Sequence, residues 1–242
     1  MHRSKDLSDR VGQFLLATYI LLFFLFLVFP LGTLIIKSVQ NRKGDFIGLK
    51  NYYLYLQEPA LFQSLFNSLF IAISSTLIVV VLAFLFAYAI TRTCMPFKFF
   101  FRLVALIPLL SPSILAAIAL VYWFGNKGVL KALLFGHSIY GPIGIIFASI
   151  YWTFPHALMI LSTSLSLSDS RLYEAAEVLK TTRLRAFLTI TIPGARYGII
   201  STTFVVFTQV FTDFGVPKVI GGNYNVLATD IYKEVVGMQN FQ

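Results

Sequence analysis

Five stretches of the chain carry no Asp, Glu, Lys or Arg: residues 11–36, 59–91, 103–126, 132–168 and 197–212, of 26, 33, 24, 37 and 16 residues. A helix needs about 20 apolar residues to cross a hydrocarbon layer of ~30 Å. The first four stretches are long enough alone, and the fifth becomes so if residues 213–219 join it. Runs such as LLFFLFLVF at 21–29 do not alternate, so they do not read as strands of a membrane β-barrel. The pattern predicts five transmembrane helices over about 14–36, 66–90, 103–124, 143–166 and 197–219. The first exceeds the usual apolar core of a cleaved signal, and no small-x-small site follows Pro30, so it reads as an uncleaved anchor. Beyond the fifth, Leu227, Ile231, Val235 and Met238 are spaced for a short amphipathic helix.

Composition agrees. Of 242 residues, 57% are hydrophobic and 12% charged, with a mean hydropathy of +0.80. A water-soluble domain carries roughly 25% charged residues, so that class is excluded. Cys94 alone cannot build a disulfide framework, and no Cys/His cluster offers metal ligands. The sequence presents neither a catalytic set nor a metal site.

Charge then sets the orientation. With a cytoplasmic N-terminus, the inward segments 1–10, 92–102 and 169–196 hold 11 Lys and Arg in 49 positions, against 8 in 67 for the outward segments 37–58, 127–141 and 213–242. That asymmetry follows the positive-inside rule. It also accounts for the net charge of +9 through contact with anionic lipid, with no basic domain left over for nucleic acid. Five spans place the C-terminus outside, and the chain reads as the N-terminal part of a longer polypeptide.

The longest inward loop, 169–196, calls for structure of its own. Two short helices are predicted. Asp169 or Ser170 caps the first, which carries Glu174 and Glu177; Thr182 caps the second, which covers Leu184, Phe187 and Leu188 and ends before Pro193.

Within this loop Glu174, Ala175 and Ala176, then Ile190, Thr191, Ile192 and Pro193, resemble the EAA signature of binding-protein-dependent ABC importer permeases. That family has Gly where Lys180 stands and Leu where Ile192 stands; the spacing is otherwise the same. Residues 48–52 (GLKNY) and 65–69 (LFNSL) resemble the family's lead-in to its second span. Residues 212–217 (TDFGVP), 221–225 (GGNYN) and 230–232 (DIY) are similar to the iron, thiamine and 2-aminoethylphosphonate branch, most of all to the 2-aminoethylphosphonate permeases, which are often double-length chains.

The resemblance implies an all-α, polytopic bundle of the type I ABC importer permease kind, one permease domain over 1–242, multi-pass in a bacterial inner membrane. Its loop would be a coupling element: small Ala175 and Ala176 fitting a groove on a cytoplasmic ATPase, Glu174 offering a charge, Pro193 turning the chain back into the membrane. No G-x-x-x-x-G-K-[ST] P-loop occurs here. ATP and Mg would therefore belong to the partner ATPase, and this chain would be a transport subunit, not an enzyme. Further implied partners are a periplasmic solute-binding protein and a second permease half, in the same chain or a separate one. 2-Aminoethylphosphonate is the first expected substrate and ferric iron the second.

Ionisable groups inside a membrane are functional candidates. His156, after Pro155, is expected as a buried, hydrogen-bonded imidazole on a helix kinked by that proline; Asp213 stands near the outer end of the fifth span. Pro108, Ser111, Pro112 and Ser113 break the third span; Pro108, Ser111 and Pro112 form the candidate pathway with Asp213. Two other readings stay open: an ion-coupled secondary transporter, which would want more charge at mid-bundle, and a truncated permease without function.

Overall fold

The computed structural model describes residues 7–41 and 43–237. Among these the chain is helical, with one isolated bridge between Gln40 and Phe46. Three helices are long and apolar enough to cross a membrane, or up to five if each of two bent pairs counts as one span. Contacts divide the chain into two units: the described residues up to Phe62 with those from Glu234, and Gln63–Lys233.

In the first unit α1 (Leu7–Phe23) passes through a π-turn (Phe24–Val28) into α2 (Phe29–Ser38). The π-turn lies directly before Pro30, which has no N–H and whose ring crowds the carbonyl four residues back; the wider turn lets the helix run on. The span Asp9–Ser38 is 30 residues long and unburied. Asn51, in α3 (Lys50–Gln57), donates to Ser38 O and Gln40 O at 3.0 and 2.9 Å, which ties α3 to the end of α2.

The second unit begins with α4 (Pro59–Arg92), a 34-residue helix. Its buried positions are Ser64, Asn67, Ser68, Ile71, Ala72, Ser75, Thr76, Val79, Ala83, Phe84, Ala87 and Ile90, a stripe of mostly small residues at helical spacing. Its exposed face carries Phe66, Phe70, Ile73, Leu77 and Leu85. That is the arrangement for a helix in lipid, where large apolar side chains meet hydrocarbon and small ones permit close packing. α7 (Pro142–Ser166) packs on α11 (Arg196–Phe211) and meets α4 through the edge-on rings of Phe86 and Phe154, and the core holds Ile145, Leu158, Leu161, Leu165, Val206, Val216 and Ile220. The α7 helix runs unbroken through Pro155, with no interruption at the expected kink.

Two predicted spans are not single helices. The third consists of α5 (Lys98–Leu106), a 3-10 turn over Ile107–Leu110, and α6 (Ser113–Phe124), bent by 103°. Pro108 and Pro112 lack the donors that would carry the helix across. The fifth leaves helical geometry at residues 212–214 and resumes as α12 (Gly215–Ile220). In compensation, α11 is preceded by helical residues Arg183–Gly194 at a 63° bend.

The loop between α7 and α11 folds as α8 (Arg171–Val178), α9 (Arg183–Ala186), a π-turn (Phe187–Thr191) and α10 (Ile192–Gly194). Asp169 and Thr182 supply the caps, accepting from Arg171 N and Arg185 N at 2.9 and 3.4 Å. The second helix does not end before Pro193; as at Pro30, a π-turn carries it past the proline, and the bend falls at Ala195 instead. The loop's two roots are pinned together. A Cβ at Gly198 would lie 2.4 Å from Ser164 Cβ, so glycine is required where α11 crosses α7.

Past α12, the segment Leu227–Tyr232 is α13. It buries Thr229 and Asp230 and exposes Ile231, the reverse of the amphipathic face expected there; Met238 lies outside the described residues.

Candidate functional site

Glu174, Ala175 and Ala176 lie in α8. Glu174 and Ala175 face outward with Leu172, Val178 and Leu179, whereas Ala176 is turned inward at 8% exposure. Of the two alanines expected to meet a partner, only Ala175 can do so directly. The helix ends in a Schellman turn: Thr181 N donates to Ala176 O and Lys180 N to Glu177 O, both at 2.9 Å. That turn puts its closing residue in the left-handed region, and Lys180 has φ +51°. The tight turn that glycine makes in the resembled family is thus kept, at the steric cost of a β-carbon. Ile190 is half-buried in the π-turn and Pro193 exposed.

What holds this loop comes from α4. Phe84, Tyr88 and Arg92 follow one another at four-residue spacing and share a face. The Phe187 ring sits edge-on to Phe84 and Tyr88, centroids 5.9 and 5.2 Å away. Arg92 Nη2 donates to Leu165 O and Ser168 O at 2.6 and 3.1 Å, a cation capping the last carbonyls of α7. The same guanidinium lies 4.5 Å over the Tyr173 ring. Tyr173 Oη in turn donates to the buried Thr191 Oγ1 at 2.9 Å. Neither Arg92 nor Tyr173 stood out in the sequence. The available signal was an arginine four and eight residues past two aromatics at a helix end.

The candidate pathway residues lie at the two helix breaks, which are joined through Ser113, a residue outside that set. Ser113 Oγ donates to Asp213 Oδ1 at 2.6 Å, and Asp213 also accepts from Gly215 N and Val216 N at 3.3 and 3.0 Å. One carboxylate therefore caps α12 and clasps the start of α6. A Cβ at Gly215 would lie 2.7 Å from Ser113 Oγ, so glycine keeps the approach open. Ser111 bonds back to Pro108 O within its own turn, and Pro112 opens α6. His156 is half-buried beside Trp152; its Nδ1, like Trp152 Nε1, has no partner among the described residues, so the expected hydrogen bond is absent.

A further polar set went unread. Ser64 donates to the buried carboxylate of Asp230, Asn67 Nδ2 to Asn225 O at 2.8 Å, and Leu227 N to Ser68 Oγ at 2.8 Å. Lys233 Nζ reaches Asn225 Oδ1 and Asp230 Oδ1 at 2.7 and 3.4 Å. Serines and an asparagine at i, i+3 and i+4 in an apolar helix were the clue. Nearby, Tyr140, Gly141, Gly221, Gly222, Asn223 and Tyr224 line an uncharged cleft of about 490 Å³, where burial pushes the Tyr224 phenol up from its ordinary range.

Residues 80–234 match the family model described as "Binding-protein-dependent transport system inner membrane component". A putative ferric transport system permease protein of Haemophilus influenzae is 29% identical over 91% of this chain and 36% of its own length. The ferric permease of Actinobacillus pleuropneumoniae is 27% identical over 93% and 33%. The chain thus spans about a third of the length of these relatives. A spermidine/putrescine permease homolog of Mycoplasma genitalium is 29% identical over 81% of this chain and 66% of its own. In fold, the chain resembles a subunit of a bacterial alginate ABC transporter crystallised with an alginate-bound periplasmic protein, at TM-score 0.78 and 19% identity over 97% of this chain and 86% of that one. These relatives lend no support to 2-aminoethylphosphonate and are consistent with the ferric alternative. With the family model covering well over half of its length, the chain belongs to the inner-membrane permeases of binding-protein-dependent ABC importers.

Proposed function

We propose that this chain forms part of the translocation path of an ATP-driven importer and takes its power stroke through residues 174–193. The observation that carries the reading is that this segment, with the family's spacing, folds as an exposed knob. Leu172, Val178 and Leu179 are 52%, 83% and 77% exposed around Glu174, and apolar surface gathered beside a charge suits a protein partner. The basic bias of the loop side supports a cytoplasmic location for the knob and for the N-terminus. The partner is an ATPase that holds ATP and Mg; its closure displaces the knob and re-packs the bundle. A periplasmic binding protein delivers the solute, and a second permease half completes the path. Ferric iron is the substrate class carried forward, since the ferric permeases match the larger share of this chain.

Glu174→Lys and Val178→Asp are expected to reduce co-purification of the ATPase about tenfold or more while membrane insertion is unchanged. Undiminished association in both variants would overturn the coupling assignment. Uptake of radioactive ferric iron by the assembled importer, with spermidine as competitor, tests the substrate; uptake of spermidine alone would transfer the proposal to polyamines.

A further inference from the structure

Both arms of the coupling loop are seated on one face of α4. Phe187 brings the π-turn arm onto Phe84 and Tyr88, and Tyr173 brings α8 onto Arg92. Tyr173 Oη and Thr191 Oγ1 then join the two arms to each other. At the roots, Ser164 and Gly198 leave no slack between α7 and α11. A push on α8 has little room to dissipate at the roots and is delivered to α4. At 1.5 Å per residue this helix is about 51 Å long, and its opposite end holds residues 225–233 through Ser64, Asn67 and Ser68.

We infer that α4 is the connecting rod of the importer and that Arg92 is the positioning residue that seats the coupling loop on it, so that motion of the knob reaches residues 225–233 at the far end. The inference rests on the coupling reading above. Arg92 suits the task because one Nη2 reaches both carbonyls while the rest of the broad, delocalised guanidinium stays over the Tyr173 ring, whereas a lysine would have to serve carbonyls and ring from one compact ammonium. Its Nε is buried and without a hydrogen-bond partner among the described residues.

The test uses the full-length permease assembled with its ATPase and binding protein in proteoliposomes, with ATP hydrolysis and solute uptake read in the same sample. Arg92→Lys is expected to keep the ATPase bound and to lower solute moved per ATP about tenfold. Tyr173→Phe, which deletes one hydroxyl and keeps the ring under Arg92, is expected to lower it about two- to tenfold, the range of one hydrogen bond. Thr191→Val should do the same, and the double variant should be no worse than either single one, because both remove the same bond. An unchanged ratio in Arg92→Lys and Tyr173→Phe, or a proportional loss of hydrolysis and uptake, would overturn the inference. Should Arg92→Lys fail to assemble, the two hydroxyl variants decide alone. Glu174→Lys and Val178→Asp separate the two readings: if both retain ATPase and transport, the coupling assignment itself is wrong, whatever Arg92 does.

Discussion

At the scale of single residues, Lys180 is the most informative departure. Its position in the motif was legible, and so was its being the wrong residue for a family glycine. What the sequence could not supply was the backbone: whether the chain keeps the left-handed turn or opens it. The structure keeps it at φ +51°, and an L-residue there is disfavoured by about 1 kcal/mol or more relative to glycine. Lys180→Gly is therefore expected to stabilise the loop by about 1 kcal/mol, and Lys180→Val to destabilise it by at least as much. Thermal unfolding of the detergent-solubilised protein should show midpoints moving in opposite directions. The inward turn of Ala176 was not readable for a related reason: adjacent alanines point about 100° apart on a helix, and spacing alone does not say which meets the bundle.

At the scale of elements, prolines announced a break in the third span and a charge announced something unusual in the fifth. The angle of the first break, 103°, was not legible, because its setting depends on a carboxylate 100 residues further along the chain. Asp213 and Ser113 each looked like a solitary polar residue; together they clasp two interrupted helices. Ser113→Ala and Asp213→Ala are each expected to cost about 1–3 kcal/mol, the penalty for orphaning a polar partner that is half-buried at the helix breaks. A double-mutant cycle read by denaturation should return a coupling energy of about 0.5–3 kcal/mol. Additive costs would show that the two breaks are set independently.

Across the whole molecule, the absence of charge from long segments marked the class, with three helices among the described residues long and apolar enough to cross a membrane, or up to five if each bent pair is one span. What it did not give was which face of each segment turns inward, since in lipid both faces are apolar. Small and hydroxylated residues carry that information, and on α4 they trace the buried stripe from Ser64 to Ala87. The stripe's first turns, with Asp230, close the second unit. Asp230→Leu leaves Ser64 and Lys233 without their carboxylate and is expected to cost about 1–3 kcal/mol. Proteolysis would report it as earlier cleavage within residues 225–233, with the loop on the other side of the bundle unaffected.

Those first turns have a further consequence for biogenesis. Ser64 leaves the ribosome 166 residues before Asp230, and Ser68 leaves it 159 before Leu227. At about 5–20 residues per second, the hydroxyls and amide wait on the order of ten seconds or more for their acceptors and donors. The seating of residues 225–233 on α4 is consequently a late step of maturation, reached only after the helices between them have been made.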